Sequence, residues 1–359
     1  MTAASPAGEL SDAAFQALRE RASADPRSLA ALSRTAALNG RAGEAYSLAC
    51  GARSLAPGDL KVRELTEPAI ARGVPEWHFG IVRDSRRNEA YDQAIRRAVG
   101  PATQVLDIGA GTGLLAMMAA RAGAATVSTC EMNEGVAAAA AAVLEANGYS
   151  DRVRLLAMPS AALDADRDLG GRADLLVSEI VSNDLIGEYV LSTVEDAARR
   201  LLVPGARMIP SAGELRIALA FWSRLDEKRM GLTAGFDLSA FNTLQRYRHR
   251  IRVGDPSLAL RGAEAPIFRF DFETGGPFPP EQAELDLAAD GGAVNGIAQW
   301  IRLQLYDDII YENHPGSGQA SCWACIFYPF REEIWPAAGA SIRVRASHDR
   351  FHVQIGVAP

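Results

Sequence analysis

The chain has 359 residues, 48% of them hydrophobic, with a net charge of −7 at neutral pH. That length exceeds one ordinary core and predicts two or three domains, and the composition excludes a disordered chain. The acidic balance argues against an electrostatic nucleic-acid binder and suits either a cationic substrate or ordinary solubility.

Residues 11 to about 72 are rich in Ala and Leu and read as short helices, with breaks at Asp25-Pro26, Asn39-Gly40 and Ala56-Pro57-Gly58. No continuous apolar stretch opens the chain and no later run reaches spanning length, so neither a signal peptide nor a membrane helix is expected. The four scattered cysteines, Cys50, Cys130, Cys322 and Cys325, fit a reducing cytoplasm. Leu29, Leu32, Ala36, Gly40, Ala45, Ala49, Ala52 and Pro57 follow one degenerate tetratricopeptide repeat. One repeat cannot bury its own face, so residues 1–73 are expected to lean on a neighbour, either as a packing cap or as a protein-binding surface.

From Glu76 an amphipathic helix is expected through Val99. Strand-like runs follow at Gln104–Ile108, Thr126–Cys130, 153–157 and Ala173–Ser178, alternating with helical runs at 113–122, 133–147 and 190–202. This βαβ order predicts an α/β domain over 74–211 with a parallel, Rossmann-like sheet. After residue 212 short alternating runs dominate, from Leu215–Ala220 to Phe351–Val357, with Gly/Pro clusters between them. They predict an antiparallel, β-barrel-like domain over 212–359. Within it Arg246-Tyr-Arg-His-Arg-Ile-Arg252 is strongly basic, read as a solvated face or as a groove for acidic partners.

Val105-Leu-Asp-Ile-Gly109-Ala-Gly111-Thr-Gly113 is the first chemical motif. Glycines at the carboxyl end of a strand let backbone approach a ligand, and the next helix aims its N-terminus there. The spacing is GxGxG, not the GxGxxG of dinucleotide binders, and the Gly-Lys-Ser/Thr of a phosphate loop is absent. Asp107 can orient the turn or accept from the ligand. Glu131 closes the next strand, where an acidic side chain can accept from both ribose hydroxyls. Together these residues predict an S-adenosylmethionine site of the class I methyltransferase kind.

The second motif is Glu179-Ile-Val-Ser-Asn-Asp-Leu-Ile-Gly-Glu188, two glutamates nine residues apart, the first ending a strand at the same sheet edge as Gly109. Such a pair reads as solvated charge, as a helix cap, or as a clamp for a planar, five-donor guanidinium. In this context the sequence resembles the protein arginine methyltransferases, whose double-Glu loop has this spacing. The wording of the loop is most similar to the monomethylating (type III) branch, and the helical N-terminus to the tetratricopeptide-bearing branch. The resemblance extends to His78, Asp84, Arg87 and Tyr91, and to Gly235–Asn242 and Gly296–Trp300, covering about 75 to 330. It implies that Arg87 grips the methionine carboxylate of the cofactor and that His78 lines its pocket. It implies Glu179 and Glu188 as catalytic residues, Asp84 and Trp323 on the substrate side, and a homodimer formed through the arm at 222–250.

Two positions depart from the family pattern. The family's Thr-His-Trp loop is Ser321-Cys322-Trp323 here, so Asp84 lacks the histidine it pairs with. No carboxylate stands at Ser160-Ala-Ala162, where a contact near adenine is expected. Cys322-x-x-Cys325 lies in a strand-like run, which turns its thiols to opposite faces and disfavours redox or metal chemistry. No metal is required. The expected reaction is methylation of arginine in a protein or peptide. The competing readings are a small guanidine or natural-product peptide as acceptor, or an adaptor with a vestigial methyltransferase domain.

Overall fold

The computed structural model describes residues 12–74 and 76–357. Four helices come first: α1 (Asp12–Ala22), α2 (Pro26–Leu38), α3 (Ala42–Leu55) and α4 (Leu60–Gly73). Their ends follow the punctuation in the sequence. Asp25 caps α2 by accepting from the Ser28 amide, with Pro26 in the first turn, and Asp59 caps α4 by accepting from the Lys61 and Val62 amides. Leu29, Leu32, Ala36, Ala45, Ala49 and Ala52 are all buried, and with Phe15 and Val62 they form a small core separate from the rest of the protein. The small side chains let α2 and α3 pack closely. The expected helical segment is therefore present over its described part; residues 1–11 lie outside the described residues.

The helix predicted through Val99 is two helices, α5 (Trp77–Val82) and α6 (Ser85–Ala98). The break falls at Asp84, whose carboxylate accepts from the Arg87 amide at 3.0 Å and so starts α6 afresh.

The α/β unit follows: β1 (Gln104–Ile108), α7 (Leu114–Ala122), β2 (Thr126–Cys130), α8 (Glu134–Ala146), β3 (Arg154–Leu156), β4 (Ala173–Ser178), α9 (Val190–Arg200) and β5 (Leu202–Ile209). Strand order is β3-β2-β1-β4-β5 and every pair is parallel. Val105, Leu106, Leu175, Leu176 and Val177 are buried, as strands covered on both faces require. The chain winds outward from β1 to β3, then returns to β4 on the other side of β1. The crevice at that reversal, beyond the carboxyl ends of β1 and β4, is where open α/β sheets bind ligands.

The remainder is antiparallel and β-rich: β6 (Ala212–Trp222), a short hairpin of β7 (Leu232–Thr233) and β8 (Phe236–Asp237), β9 (His249–Ile251), β10 (Leu258–Leu260), β11 (Ala265–Asp271), β12 (Glu281–Ala288), β13 (Val294–Tyr306), β14 (Ile309–Glu312), β15 (Cys325–Ile334), β16 (Ser341–His348) and β17 (Val353–Val357). Among the described residues the pairings form a seven-stranded sheet, β10-β6-β13-β15-β9 with β11 on β6 and β14 on β13, and a three-stranded sheet β12-β16-β17. One hydrophobic core joins the parallel sheet to this region: Leu185 and Val177 share it with Leu215, Ile301 and Trp323. The strand predicted to start at Trp323 starts instead at Cys325. Asp84 and Asn183 accept from the amides of Cys322 and Ala324, which holds this segment as a loop against the α/β unit.

Candidate active site

The register of the central strands places the two motifs side by side. Ile108 pairs with Ser178, so Gly109 and Glu179 each stand one residue past that pair. Gly109, Gly111 and Gly113 all have positive φ (89°, 53° and 79°), the left-handed region that favours glycine. A Cβ on Gly109 would come within 2.8 Å of the Ile180 side chain, so the two loops are in contact. The Gly109 and Ala110 amides both bond the Cys130 carbonyl, which ties the turn to the end of β2.

Glu131 follows β2 and is buried. One of its oxygens accepts from the Gly111 amide at 3.1 Å, the other from the Asn133 amide at 2.9 Å. Each oxygen keeps a further lone pair, so the carboxylate is fixed in place and still able to accept from a diol. Asp107 is fully buried on β1; one oxygen accepts from the Thr129 hydroxyl at 2.7 Å and the other has no partner. His78 is half-buried on α5, stacked on Trp77, and close enough to feel the Glu131 charge. Burial holds its imidazole below the usual histidine range and favours the neutral form. The turn Ser160–Ala162 is a single 3-10 turn whose side chains carry no carboxylate.

The double-Glu loop is tightly built. Ser182 donates to Asp184 at 2.6 Å and accepts from the Gly187 amide at 2.8 Å. A Cβ on Gly187 would meet those same two side chains within 2.8 Å. Leu185 and Tyr189 both take positive φ, 66° and 63°, so Glu188 lies between two strained residues. The Glu179 side chain is 5% exposed and that of Arg87 is 4% exposed, and they pair at 2.8 Å. Arg87 also donates to Asn88 at 2.7 Å, while its Nε and the second oxygen of Glu179 are buried and without partners. Glu188 is exposed and lines a groove of about 920 Å³ between this loop and β9.

Burial pushes the Glu179 carboxyl above its ordinary range, against the pull of Arg87, and the neighbouring Glu188 adds to the rise. Partial desolvation raises Glu188 as well, with Asp184 contributing. Burial pushes Asp107 up to about 7.

The β region grips this loop at four points. The Trp323 indole N–H donates to the Val181 carbonyl at 3.0 Å, and the Gln299 amide donates to the Asn183 carbonyl at 3.0 Å. The Ala324 amide donates to the Asn183 side chain at 2.6 Å, and Arg248 pairs with Asp184 at 2.6 Å. Trp323 is 3% exposed, so it braces the loop and does not face the groove. Its indole is committed to the buried Val181 carbonyl. Asp84 is likewise buried. In place of the family histidine it accepts from the Tyr311 hydroxyl at 2.5 Å and the Cys322 amide at 2.9 Å, and Tyr311 also bonds Ser321 at 2.8 Å. These donors hold the Asp84 carboxyl below its usual range although burial opposes them. Cys322 and Cys325 are free thiols, both pushed up by burial.

Sequence reasoning missed three contributors. Tyr311 and Gln299 are two. The third is Tyr46 on α3, which donates to Asn133 at 2.5 Å, while Asn133 donates to the Gly73 carbonyl at 2.8 Å. The helical unit thus rests on Asn133, whose amide bonds Glu131. The glycines at 73 and 135 make room: a Cβ at either would fall within 2.4 Å of the Tyr46 side chain.

Residues 90–213 match the family model of the ribosomal protein L11 methyltransferase (PrmA). The chain is 36% identical over 307 residues to the arginine N(omega)-methyltransferase of Streptomyces achromogenes subsp. streptozoticus, covering 85% of each chain. It is 43% identical over 218 residues to protein arginine N-methyltransferase 7 of Drosophila grimshawi, covering 54% of this chain and 30% of that protein. Its fold matches the Trypanosoma brucei PRMT1 enzyme-prozyme heterotetrameric complex with AdoHcy at a TM-score of 0.68, with 22% identity, over 77% of this chain and 88% of that one. Arabidopsis thaliana protein arginine methyltransferase 10 matches at a TM-score of 0.63, with 18% identity, over 74% and 86%. The match to the Streptomyces enzyme spans 85% of this chain at 36% identity, and the chain belongs to the arginine N-methyltransferase family.

Proposed function

We propose that this enzyme transfers the methyl group of S-adenosylmethionine to an arginine guanidinium of a protein or peptide, with Glu179 and Glu188 as the clamp. The observation that carries the reading is the buried, unpartnered oxygen of Glu179, one residue beyond the strand end that faces Gly109. An ionised carboxylate oxygen without a donor in the interior is costly, and a guanidinium N–H supplies that donor. The residues around the glycine turn fit the cofactor. Glu131 is fixed with free lone pairs for the ribose hydroxyls, the positive-φ glycines leave room for it, and the unpartnered Arg87 Nε is a donor for its carboxylate. When bound, the cofactor supplies an electrophilic methyl group on a sulfonium.

Guanidinium is a poor nucleophile because its charge is spread over three nitrogens. Glu179 and Glu188 draw that charge toward the nitrogens they contact and leave more lone-pair density on the attacked one. They also hold it in line, and positioning of this kind contributes several kcal/mol, on the order of 7 in the best cases. Transfer of the methyl group that the bound cofactor would supply would leave the methylated nitrogen with one proton to shed. Glu188, open to the groove, takes that proton directly or through water. Arg87 favours the ionised form of Glu179 and holds the side chain in place.

The exposed apolar side chains of 230–244, among them Leu232, Phe236, Phe241 and Leu244, are proposed as the dimer arm. Light scattering of the wild type against Phe236→Ser/Leu244→Ser tests this; an unchanged mass would remove the arm from the account. For the activity, the enzyme is incubated with isotopically labelled cofactor and an arginine peptide library, and products are read by tandem mass spectrometry. Label on a guanidino nitrogen is the expected result. Label elsewhere, or on no peptide, would overturn it.

A further inference from the structure

The groove that Glu188 opens into has a charge opposite to that of the protein. Six cationic side chains line it against three carboxylates, in a chain of net charge −7. Four of the six come from one short segment: Arg246, Arg248, Arg250 and Arg252. The segment includes β9, the edge strand of the seven-stranded sheet. Arg250 lies within β9, Arg248 and Arg252 flank it, and Arg246 lies beyond a bend at Tyr247; all four line the groove.

The segment meets the clamp. Arg248 pairs with Asp184 at 2.6 Å, midway along the double-Glu loop. Arg246, Arg250 and Arg252 are exposed and have no hydrogen-bonded carboxylate among the described residues. The one other acidic side chain lining the groove, Asp255, is engaged by the Ser257 amide and hydroxyl and is close enough to feel the charges of Arg224 and Arg252, which leaves Arg246 and Arg250 the freer pair. A strongly cationic wall next to a cation-binding site repels a substrate that is basic along its length. It attracts one that carries negative charge beside its guanidinium.

We propose that this enzyme selects an arginine with a carboxylate close to it, held by Arg246, Arg250 and Arg252. The proposal rests on the methyl-transfer reading above. Arg246, Arg250 and Arg252 line the same groove as Glu188, so acidic groups within a few positions of the target arginine come within reach. The carboxylate has two sources, an Asp or Glu side chain in a peptide, or the α-carboxylate of arginine itself. A bland role for the segment also exists: charge on an edge strand blocks unwanted strand pairing. Replacing Arg with Glu preserves that role and destroys recognition, which separates the two.

The full-length enzyme with S-adenosylmethionine is given labelled arginine peptides flanked by Asp/Glu, by Gln or by Lys, together with free L-arginine and its decarboxylated analogue agmatine. Binding is measured by fluorescence anisotropy for the peptides and by calorimetry for the small molecules, and methyl transfer by mass spectrometry. Acid-flanked peptides are expected to bind roughly tenfold tighter than Lys-flanked ones, with the gap closing at high salt. The triple variant Arg246→Glu/Arg250→Glu/Arg252→Glu is expected to invert that order, while kcat on the Gln-flanked peptide changes less than about threefold. L-arginine preferred over agmatine, with no flank preference among peptides, would identify the α-carboxylate as the group held. An order that charge reversal does not alter, equal binding of all flanks together with equal use of L-arginine and agmatine, or displacement of every acidic peptide by RNA would overturn the proposal. Absence of methyl transfer to any substrate would instead count against the methyltransferase reading, and the binding order would still report on the groove.

Discussion

Glu179 and Glu188 lie nine residues apart on one loop, in opposite surroundings. Glu179 is sealed in, one oxygen on Arg87 and the other without a partner. Glu188 is exposed on a groove wall, flanked by the strained residues Leu185 and Tyr189. Two carboxylates on one loop therefore have unequal work. The buried one is held in a fixed position by a fixed cation, so it suits the part of a clamp that must not move. The open one has solvent beside it, so it suits the part that passes a proton outward.

The sharpest break of this comparison is neutral replacement of each in turn. Glu179→Gln is expected to lower kcat about 10³-fold, the scale seen when a preorganised electrostatic contact is lost. It should also change cofactor affinity, because Arg87, proposed above as the donor to the cofactor carboxylate, loses its partner. Glu188→Gln is expected to cost about 10²-fold in kcat with cofactor affinity within about twofold of wild type. Calorimetric titration of cofactor alongside steady-state rates checks both. Identical cofactor affinities in the two variants would erase the distinction between a sealed and an open glutamate.

A smaller effect tests what keeps the two in register. Trp323→Phe removes one hydrogen bond to the Val181 carbonyl while keeping an aromatic ring in a buried slot. A net bond of this kind is worth about 1 kcal/mol, and leaving the carbonyl unsatisfied adds to that. The expected loss in kcat is about tenfold, with little change in KM for cofactor. A rate equal to wild type would mean that Gln299, Ala324 and Arg248 hold the loop without the indole.

Much of the α/β unit was legible because its signals are local. β1 and β2 run Gln104–Ile108 and Thr126–Cys130, the bounds expected from strand-like runs ended by Gly109 and Glu131. The strand-edge positions of Gly109 and Glu179 followed from that order. The braces were not legible because they join residues far apart in the chain: Trp323 to Val181, Gln299 to Asn183 and Tyr311 to Asp84. Alternation marks a strand but not its partner, so the β region was legible as antiparallel runs and not as a seven-stranded and a three-stranded sheet. The exchange of histidine for Cys322 pointed to a missing dyad. That Tyr311 would take up Asp84 required the register of β13 with β14, which no spacing reveals. The break before α6 did have a local signal, an Asp just ahead of a helical run, and is the one miss that closer attention to caps would have caught.

The smallest expected effect concerns stability, and it sets a buried carboxylate against the exposed Glu188. Asp107 is fully buried beneath the glycine turn, and burial raises its pKa from 3.8 to about 7 despite the Thr129 hydrogen bond. The folded protein therefore keeps this proton at pH values where the unfolded chain has released it. The linkage sign follows: the contribution to stability is fully present below about pH 4 and is lost as pH rises to about 7. Asn in place of Asp107 stays neutral at all of these pH values and has nearly the same shape. Thermal melts of the ligand-free protein should show the difference in Tm, Asp107→Asn minus wild type, growing more positive between about pH 4 and pH 8. Glu188→Gln should give a smaller slope of the same sign, since its carboxyl is raised but faces solvent. A flat difference for Asp107→Asn would mean that this carboxylate ionises normally in the folded state, and that burial at the sheet edge is offset by charge from Arg87 more fully than the geometry around it allows.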